Sequence, residues 1–142
     1  MKLTTKTRYA LRALVALAQR PETEALPLAV IAKRQRVKPK YLEQIFLRLH
    51  RAKLVKSKKG PGGGYVLARN PKSIKLKDIM GAVGESTAPV MCVLNKRDKY
   101  CGGFTLCPMK PHWKELKKRI DRFMDEYTLA DICESSSQTR GG

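Results

Sequence analysis

The chain has 142 residues, and its 30 Lys and Arg against 12 Asp and Glu give a formal net charge of +18 at pH 7. This length fits one domain with a small appendage, and 42% hydrophobic residues suffice for one core, which excludes disorder as the source of the charge. The charge favours a polyanionic partner, and the lack of a long apolar run or a signal peptide favours a cytoplasmic protein with no membrane partner.

The first third of the sequence predicts three helices. Apolar residues recur at helical spacing after Thr5, until Pro21 and the polar run behind it end the segment. A second, short helix fits Leu28–Gln35, and Pro39 suits the first turn of a third. Two short helices joined by residues 36–38 are typical of a helix-turn-helix. The predicted inward residues are Leu11, Leu14, Val15 and Ala18, then Leu28, Ile31 and Ala32, then Leu42, Ile45, Phe46 and Leu49.

Two β-prone runs follow, at residues 54–57 and 65–68, on either side of a glycine-rich stretch at 58–64. This pattern predicts a hairpin that forms a wing beside the helix-turn-helix. A nucleotide site is not favoured, because Tyr65 replaces the last glycine of the dinucleotide pattern and no Gly-Lys-Ser/Thr follows. The predicted fold class is therefore mainly α with a small β-hairpin, a winged helix-turn-helix over residues 1–84.

The second half predicts a short helix at 76–83, a polar loop at 85–111 that bears three cysteines, and a long amphipathic helix from residue 112. Thr128 and Asp131 resemble a capping box that opens one last turn, so that the helix and this turn occupy 112–133. Residues 134–142 are expected to be a mobile polar tail. The long helix carries a wide apolar stripe and is predicted to form a dimer. The stripe consists of Trp113, Leu116, Ile120, Phe123, Met124 and Tyr127.

The predicted DNA-binding surface is strongly basic, since residues 33–59 contain eleven Lys and Arg and one acid, Glu43. Gln44 can pair with the N6/N7 edge of adenine, and Glu43 can accept a hydrogen bond from the N4 amine of cytosine. Alternatively, Glu43 pairs with Lys40 within the helix, and Tyr41 is a packing residue. Basic residues on the wing suit phosphates or the minor groove. The full predicted set is Lys40, Tyr41, Glu43, Gln44, Arg48, Arg51, Lys56, Lys58, Lys59, Gly62 and Gly63.

Three cysteines, Cys92, Cys101 and Cys107, lie on the predicted loop, with eight and five residues between them. This is not the Cys-x-x-Cys spacing of zinc ribbons. Three thiols on one loop can nevertheless converge, and an iron–sulfur cluster would order a loop that has no periodicity of its own. Metal-free thiol sensing and a zinc site remain alternatives. Cys133 is a further candidate ligand or a small buried residue.

Four motifs resemble those of the IscR-like (Rrf2) family of bacterial winged-helix transcription regulators: MKLTTKTRYA at residues 1–10, YLEQIF at 41–46, GPGGGY at 60–65 and TLADI at 128–132. The resemblance implies a homodimer that binds double-stranded operator DNA. In many members it also implies an iron–sulfur cluster, 2Fe–2S or 4Fe–4S, and the three loop cysteines are carried over as its ligands.

The fourth ligand departs from the family pattern. The best-known members have a histidine three residues after the last cysteine, where this chain has Lys110, so His112 or Cys133 is the candidate. Some relatives use position 8 of the partner subunit, but Arg8 is always protonated and cannot serve.

The resemblance and the residues together predict a DNA-binding regulator whose operator affinity depends on the cluster. The alternatives are a metal-free thiol-sensing repressor and a protein that coats nucleic acid without sequence choice. No enzyme is predicted and no small-molecule substrate is inferred, because neither His50 nor His112 belongs to a nucleophile–base pair.

Overall fold

The computed structural model describes residues 3–94 and 107–140. None of the described helices is both long enough and apolar enough to cross a membrane. In chain order the elements are α1 (Thr5–Ala18), α2 (Leu28–Gln35), α3 (Pro39–Arg51), β1 (Val55–Lys58), β2 (Gly64–Leu67), a 3₁₀ turn (Pro71–Ser73), α4 (Leu76–Ala82), a 3₁₀ turn (Met91–Val93), α5 (Lys110–Glu126) and α6 (Leu129–Arg140). The prediction of a mainly helical fold with one hairpin is confirmed.

The core forms where α1, α2 and α3 pack together, with α4 covering α3. All four predicted inward residues of α3 are buried, as are Ile31 and Ala32 of α2. The predicted inner face of α1 is partly wrong, because Ala18 is only half-buried, as are Leu11 and Val15. The latter two line a groove between α1, α2 and α6, and α1 instead turns a face of small and apolar side chains to the core. That buried face consists of Thr7, Ala10, Ala13, Leu14 and Leu17.

The wing is an antiparallel pair in which Lys56 faces Val66 and Lys58 faces Gly64. Each strand differs by one residue from its prediction. A third segment joins the wing through a single-residue bridge that the sequence did not reveal. In this bridge Leu26 and Tyr65 exchange both backbone hydrogen bonds at 3.0 Å. The Tyr65 ring packs on Phe46, with 4.6 Å between ring centroids. The base of the wing is therefore anchored to α3 and to the segment before α2.

Gly64 makes this bridge possible, and its replacement provides a test of the wing. Its φ is +148°, and a Cβ there would lie 2.4 Å from the backbone oxygen of Leu26. We expect Gly64→Ala to lower the free energy of unfolding by about 3 kcal/mol, seen as a fall in Tm of about 10 °C.

The matched control is Gly81→Ala in α4, where a Cβ meets nothing within 4 Å. Because alanine is the better helix former, this variant should be more stable than the parent by about 0.5–1 kcal/mol. If Gly64→Ala unfolds at the same urea concentration as the parent, the bridge does not stabilise the wing.

The C-terminal segment corrects the sequence prediction. The capping box is formed, since the Asp131 carboxylate accepts from the Thr128 N–H at 2.8 Å, but it opens a 12-residue helix rather than one turn. The expected tail at 134–142 is wrong for residues 134–140, which α6 includes. The helix persists because it packs along α1, where the Gln19 amide donates to the Ser136 hydroxyl at 3.0 Å. Its serines also donate to carbonyls one turn earlier.

Candidate nucleic-acid interface and cysteine-bearing segment

The turn between α2 and α3 sets the entry of the predicted recognition helix. Arg36 ends α2 in the left-handed region, with φ of 55°, and Pro39 opens α3. The inward residues of α3 are all in the core, and apart from the half-buried Tyr41 its remaining positions are exposed. Lys40, Glu43 and Gln44 are exposed in its first turns, where a recognition helix meets base edges. Their DNA contacts stay a prediction.

The charge of this surface is not compensated within the described protein. None of the eleven basic side chains between residues 33 and 59 lies within 4.0 Å of a carboxylate that the structure describes. In particular, the alternative of a Glu43–Lys40 ion pair is not formed. A solvated basic face ordinarily mixes its signs, whereas the cations and the single carboxylate of this one form no ion pairs with the part of the chain that the structure describes.

Two predicted DNA-contact residues on α3 also have partners within the protein. Tyr41 is half-buried and its ring meets Tyr9 edge-on, with 6.0 Å between centroids, so it joins α3 to α1. The Arg48 guanidinium donates to the Val83 carbonyl at 2.9 Å, which satisfies the C-terminal end of α4. Both residues therefore hold α3 in place, and a DNA contact by either remains a prediction.

The residues predicted to contact DNA from the wing differ in whether they also bind another part of the protein. The Lys58 ammonium donates to the Thr23 carbonyl at 3.0 Å, which joins the wing to the loop before α2. Lys56, Lys59 and, on α3, Arg51 are exposed. At the tip, Gly62 has a φ of +73°, and a Cβ added there would meet no heavy atom within 4 Å, so this position is accessible to a ligand. The N–H of the neighbouring Gly63 donates to the Gly60 carbonyl at 2.9 Å and so stabilises the turn.

Sequence reasoning missed one residue of this face. Leu47 is a large apolar side chain that is 50% exposed on the polar side of α3. The signal was present in the sequence, because Leu47 breaks the alternation of apolar inner and polar outer positions between Gln44 and Arg51.

The cysteines fall into two groups. Cys92, in the 3₁₀ turn Met91–Val93, is half-buried, and that turn packs against α5. Cys107 is also half-buried and lies three residues before α5, with its carbonyl accepting the Lys110 N–H at 3.2 Å. Cys101, the third predicted ligand, lies outside the described residues. Two of the three loop cysteines thus flank the same helix.

The two candidates for a fourth ligand have different surroundings. His112 is exposed in the first turn of α5. Cys133 lies on α6 and packs against the hydrophobic core, and burial raises the pKa of its thiol, which disfavours the thiolate that a metal needs. Among the described residues, no three His, Cys, Asp or Glu side chains form a metal-binding group.

A chain of polar contacts joins α5 to the helix-turn-helix. The buried Thr7 hydroxyl of α1 donates to Glu85, and two residues later the Thr87 hydroxyl donates to Asp121 of α5. Partial burial acts to raise the pKa of Asp121, but hydrogen bonds from Lys117 and Thr87 outweigh it, and the net pKa lies below its usual value. Asp121 therefore stays ionised near neutral pH and holds the segment after α4 against α5.

The outer face of α5 presents the predicted apolar stripe to solvent. Phe123 is 51% exposed, Tyr127 43% and Leu116 39%, and the rings of Phe123 and Tyr127 lie 4.9 Å apart. The rest of the predicted stripe is less exposed, since Trp113 and Ile120 are half-buried and Met124 is buried within the chain. An exposed row of this kind on one helix marks a surface suited to a second protein surface.

Comparison with known proteins gives consistent matches over nearly the whole chain. Residues 3–135 match a family described as "Rrf2: Iron-dependent Transcriptional regulator". The chain is 38% identical over 132 residues to the HTH-type transcriptional regulator IscR of Klebsiella pneumoniae (strain 342), covering 93% of this chain and 79% of that protein. It is 40% identical over 132 residues to the IscR of Vibrio parahaemolyticus, covering 93% and 77%.

Solved structures of two such regulators resemble the fold. The IscR of T. potens superposes with a TM-score of 0.77 at 35% identity, covering 98% of this chain and 90% of that one. CymR, the global cysteine regulator of B. subtilis, superposes with a TM-score of 0.78 at 29% identity, covering 95% and 98%.

Proposed function

The chain belongs to the Rrf2 family of transcriptional regulators, and we propose that it acts as a homodimer whose operator binding is modulated by an iron–sulfur cluster held by its loop cysteines. The protein is a DNA-binding transcription regulator and not an enzyme, as its sequence predicts.

The observation that carries the DNA-binding mode is that Glu43 is exposed and forms no ion pair with the described residues, although it lies on a basic surface. A carboxylate near phosphates is repelled, so its presence there is useful only where it meets a hydrogen-bond donor such as the cytosine N4 amine. Gln44 beside it presents an amide suited to adenine. Lys56 and Lys59 on the wing would neutralise phosphates and set the register without reading bases.

The cluster proposal is supported by the chemistry of the thiols that flank α5. Iron–sulfur clusters take thiolate ligands, and negative charge is favoured before the N-terminus of a helix, where Cys107 lies. The cluster would be held by Cys92, Cys101 and Cys107. His112 is the better candidate for the fourth ligand, because Cys133 packs against the core. When bound, the cluster would supply a redox-sensitive centre beside α5.

The route from this centre to DNA runs through α5. The polar contacts from Asp121 to Thr87 and from Glu85 to Thr7 connect α5 to α1 through the segment after α4, and α1 packs on α3. In a dimer formed by the α5 stripe, the position of α5 sets the separation of the two recognition helices. Half-sites lie about 34–36 Å apart, so a small change in angle displaces the second helix from its groove.

Selection of operators from a random DNA library tests this function. The parent is expected to enrich one sequence with two half-sites. Glu43→Gln should change the preferred base at one position of each half-site, with a loss of about tenfold or more for the original sequence. Lys59→Ala is the control, because it should weaken all sequences alike and reduce the slope of log K against log salt by about one.

A coating protein would give the opposite results. The parent would then enrich no sequence, and Glu43→Gln would bind every DNA at least as well as the parent because a repulsive charge is gone. A slope of log K against log salt near zero would show, in addition, that the basic stretch contacts no phosphates.

A further inference from the structure

Leu47 lies in the middle of the exposed face of α3. It follows Glu43 by four residues and Gln44 by three, so the Cβ atoms of these residues are neighbours on the helix surface, about 5–6 Å apart. Half of its side chain is exposed, whereas Leu42, Ile45, Phe46 and Leu49 of the same helix are buried. Leu47 is therefore not part of the packing that holds α3 in place.

The surroundings of Leu47 restrict what it can contact. A single exposed leucine on an ordinary surface needs no explanation. This leucine lies instead between side chains suited to base edges and the exposed Arg51, within the basic stretch that no described carboxylate neutralises. In the proposed function this surface faces the polyanionic DNA backbone, and an aliphatic side chain gains nothing from a phosphate.

We propose that Leu47 determines sequence specificity by contacting the C5-methyl group of a thymine in the major groove. The proposal rests on the proposed function, in which α3 enters that groove. The thymine methyl is the only apolar group that base pairs present there, and aliphatic contact with it is a recognised mode of direct readout. Glu43, Gln44 and Leu47 would then read three base edges by three different chemistries.

The test removes the methyl group rather than the base. In the operator selected by the parent, each thymine is replaced in turn by deoxyuridine, symmetrically in both half-sites. Deoxyuridine keeps the pairing and the O4 acceptor and lacks only the methyl. Contact with one methyl is worth about fourfold in affinity, so we expect one position at which the replacement costs the parent about 15-fold over two half-sites.

Leu47→Ala completes the comparison. This variant should bind the thymine operator about 15-fold more weakly than the parent, and deoxyuridine at the same position should cost it nothing further. Leu47→Met, which retains an apolar side chain of similar size, should keep most of the discrimination. Because Leu47 is half exposed, both variants should melt close to the parent in circular dichroism.

The outcomes separate this proposal from the one it rests on. If the parent enriches no operator, the DNA-binding mode fails first. A second outcome is that the parent enriches an operator and Glu43→Gln changes the preferred sequence, but every deoxyuridine replacement costs the parent and Leu47→Ala the same affinity. In that case Leu47 contacts no thymine methyl. The proposal would likewise be overturned if Leu47→Ala bound more weakly than the parent by the same factor on the thymine operator and on the deoxyuridine operator, since the lost contact would then be with something other than the methyl.

Discussion

Anaerobically purified Cys92→Ala, Cys101→Ala and Cys107→Ala are each expected to lose the visible absorbance and the bound iron and sulfide of the parent completely. The reason is that an iron–sulfur cluster is held by several thiolates at once, so that in the proposed site its binding depends on all three cysteines. Removing one thiolate leaves a set too small to hold the cluster. Iron and sulfide analysis with a visible spectrum measures the effect directly.

Cys133→Ala is the matched control, because among the cysteines that the structure describes this is the one that packs against the core and whose thiol pKa is raised by burial. It should keep the colour of the parent. Operator affinity, measured on the same samples, should change in the three loop variants and not in this one. His112→Ala should weaken or alter the spectrum if the exposed imidazole is the fourth ligand.

Two results would contradict the cluster proposal. If the three loop variants keep the colour of the parent, other residues hold the iron. If the parent itself is colourless but loses DNA binding reversibly with peroxide, the loop thiols act without metal, as in the thiol-sensing alternative.

Phe123→Asp is expected to convert the dimer into a monomer and thereby to abolish tight operator binding. Phe123 lies in the middle of the exposed stripe of α5, and a dimer carries the substitution twice. Losing the burial of two such side chains costs about 3–6 kcal/mol, which weakens dimerisation by about 10²- to 10⁴-fold. Sedimentation at micromolar concentration measures the mass, and titration with one-site and two-site DNA measures the consequence.

Lys118→Asp is the control for the charge change, because position 118 lies on the opposite side of α5 from Phe123 at 3.6 residues per turn. This variant should stay dimeric. A parent that sediments as a monomer, or a Phe123→Asp variant that stays dimeric and binds the two-site operator normally, would show that the stripe is not the dimer interface.

Several features of this protein follow from the sequence by local rules. The apolar spacing of α3, Pro39 at its start and the glycine-rich turn of the wing each specify a local conformation that the structure confirms to within about one residue. The basic stretch and the family motifs identified a winged-helix DNA-binding regulator, because charge and turn preference are local properties that can be inferred without knowing the packing.

Tertiary structure decided the rest, because the remaining features depend on contacts between residues distant in sequence. Residues 134–140 are polar and rich in serine, and they become helical because α6 packs along α1 through pairs such as Gln19 and Ser136. The sequence predicts that Arg48 is available for DNA, whereas in the structure its guanidinium donates to the Val83 carbonyl at the end of α4, 2.9 Å away. The helical spacing places Leu47 at an outer position of α3, but only the packing of α3 shows that no neighbouring element covers it and that half of its side chain stays exposed.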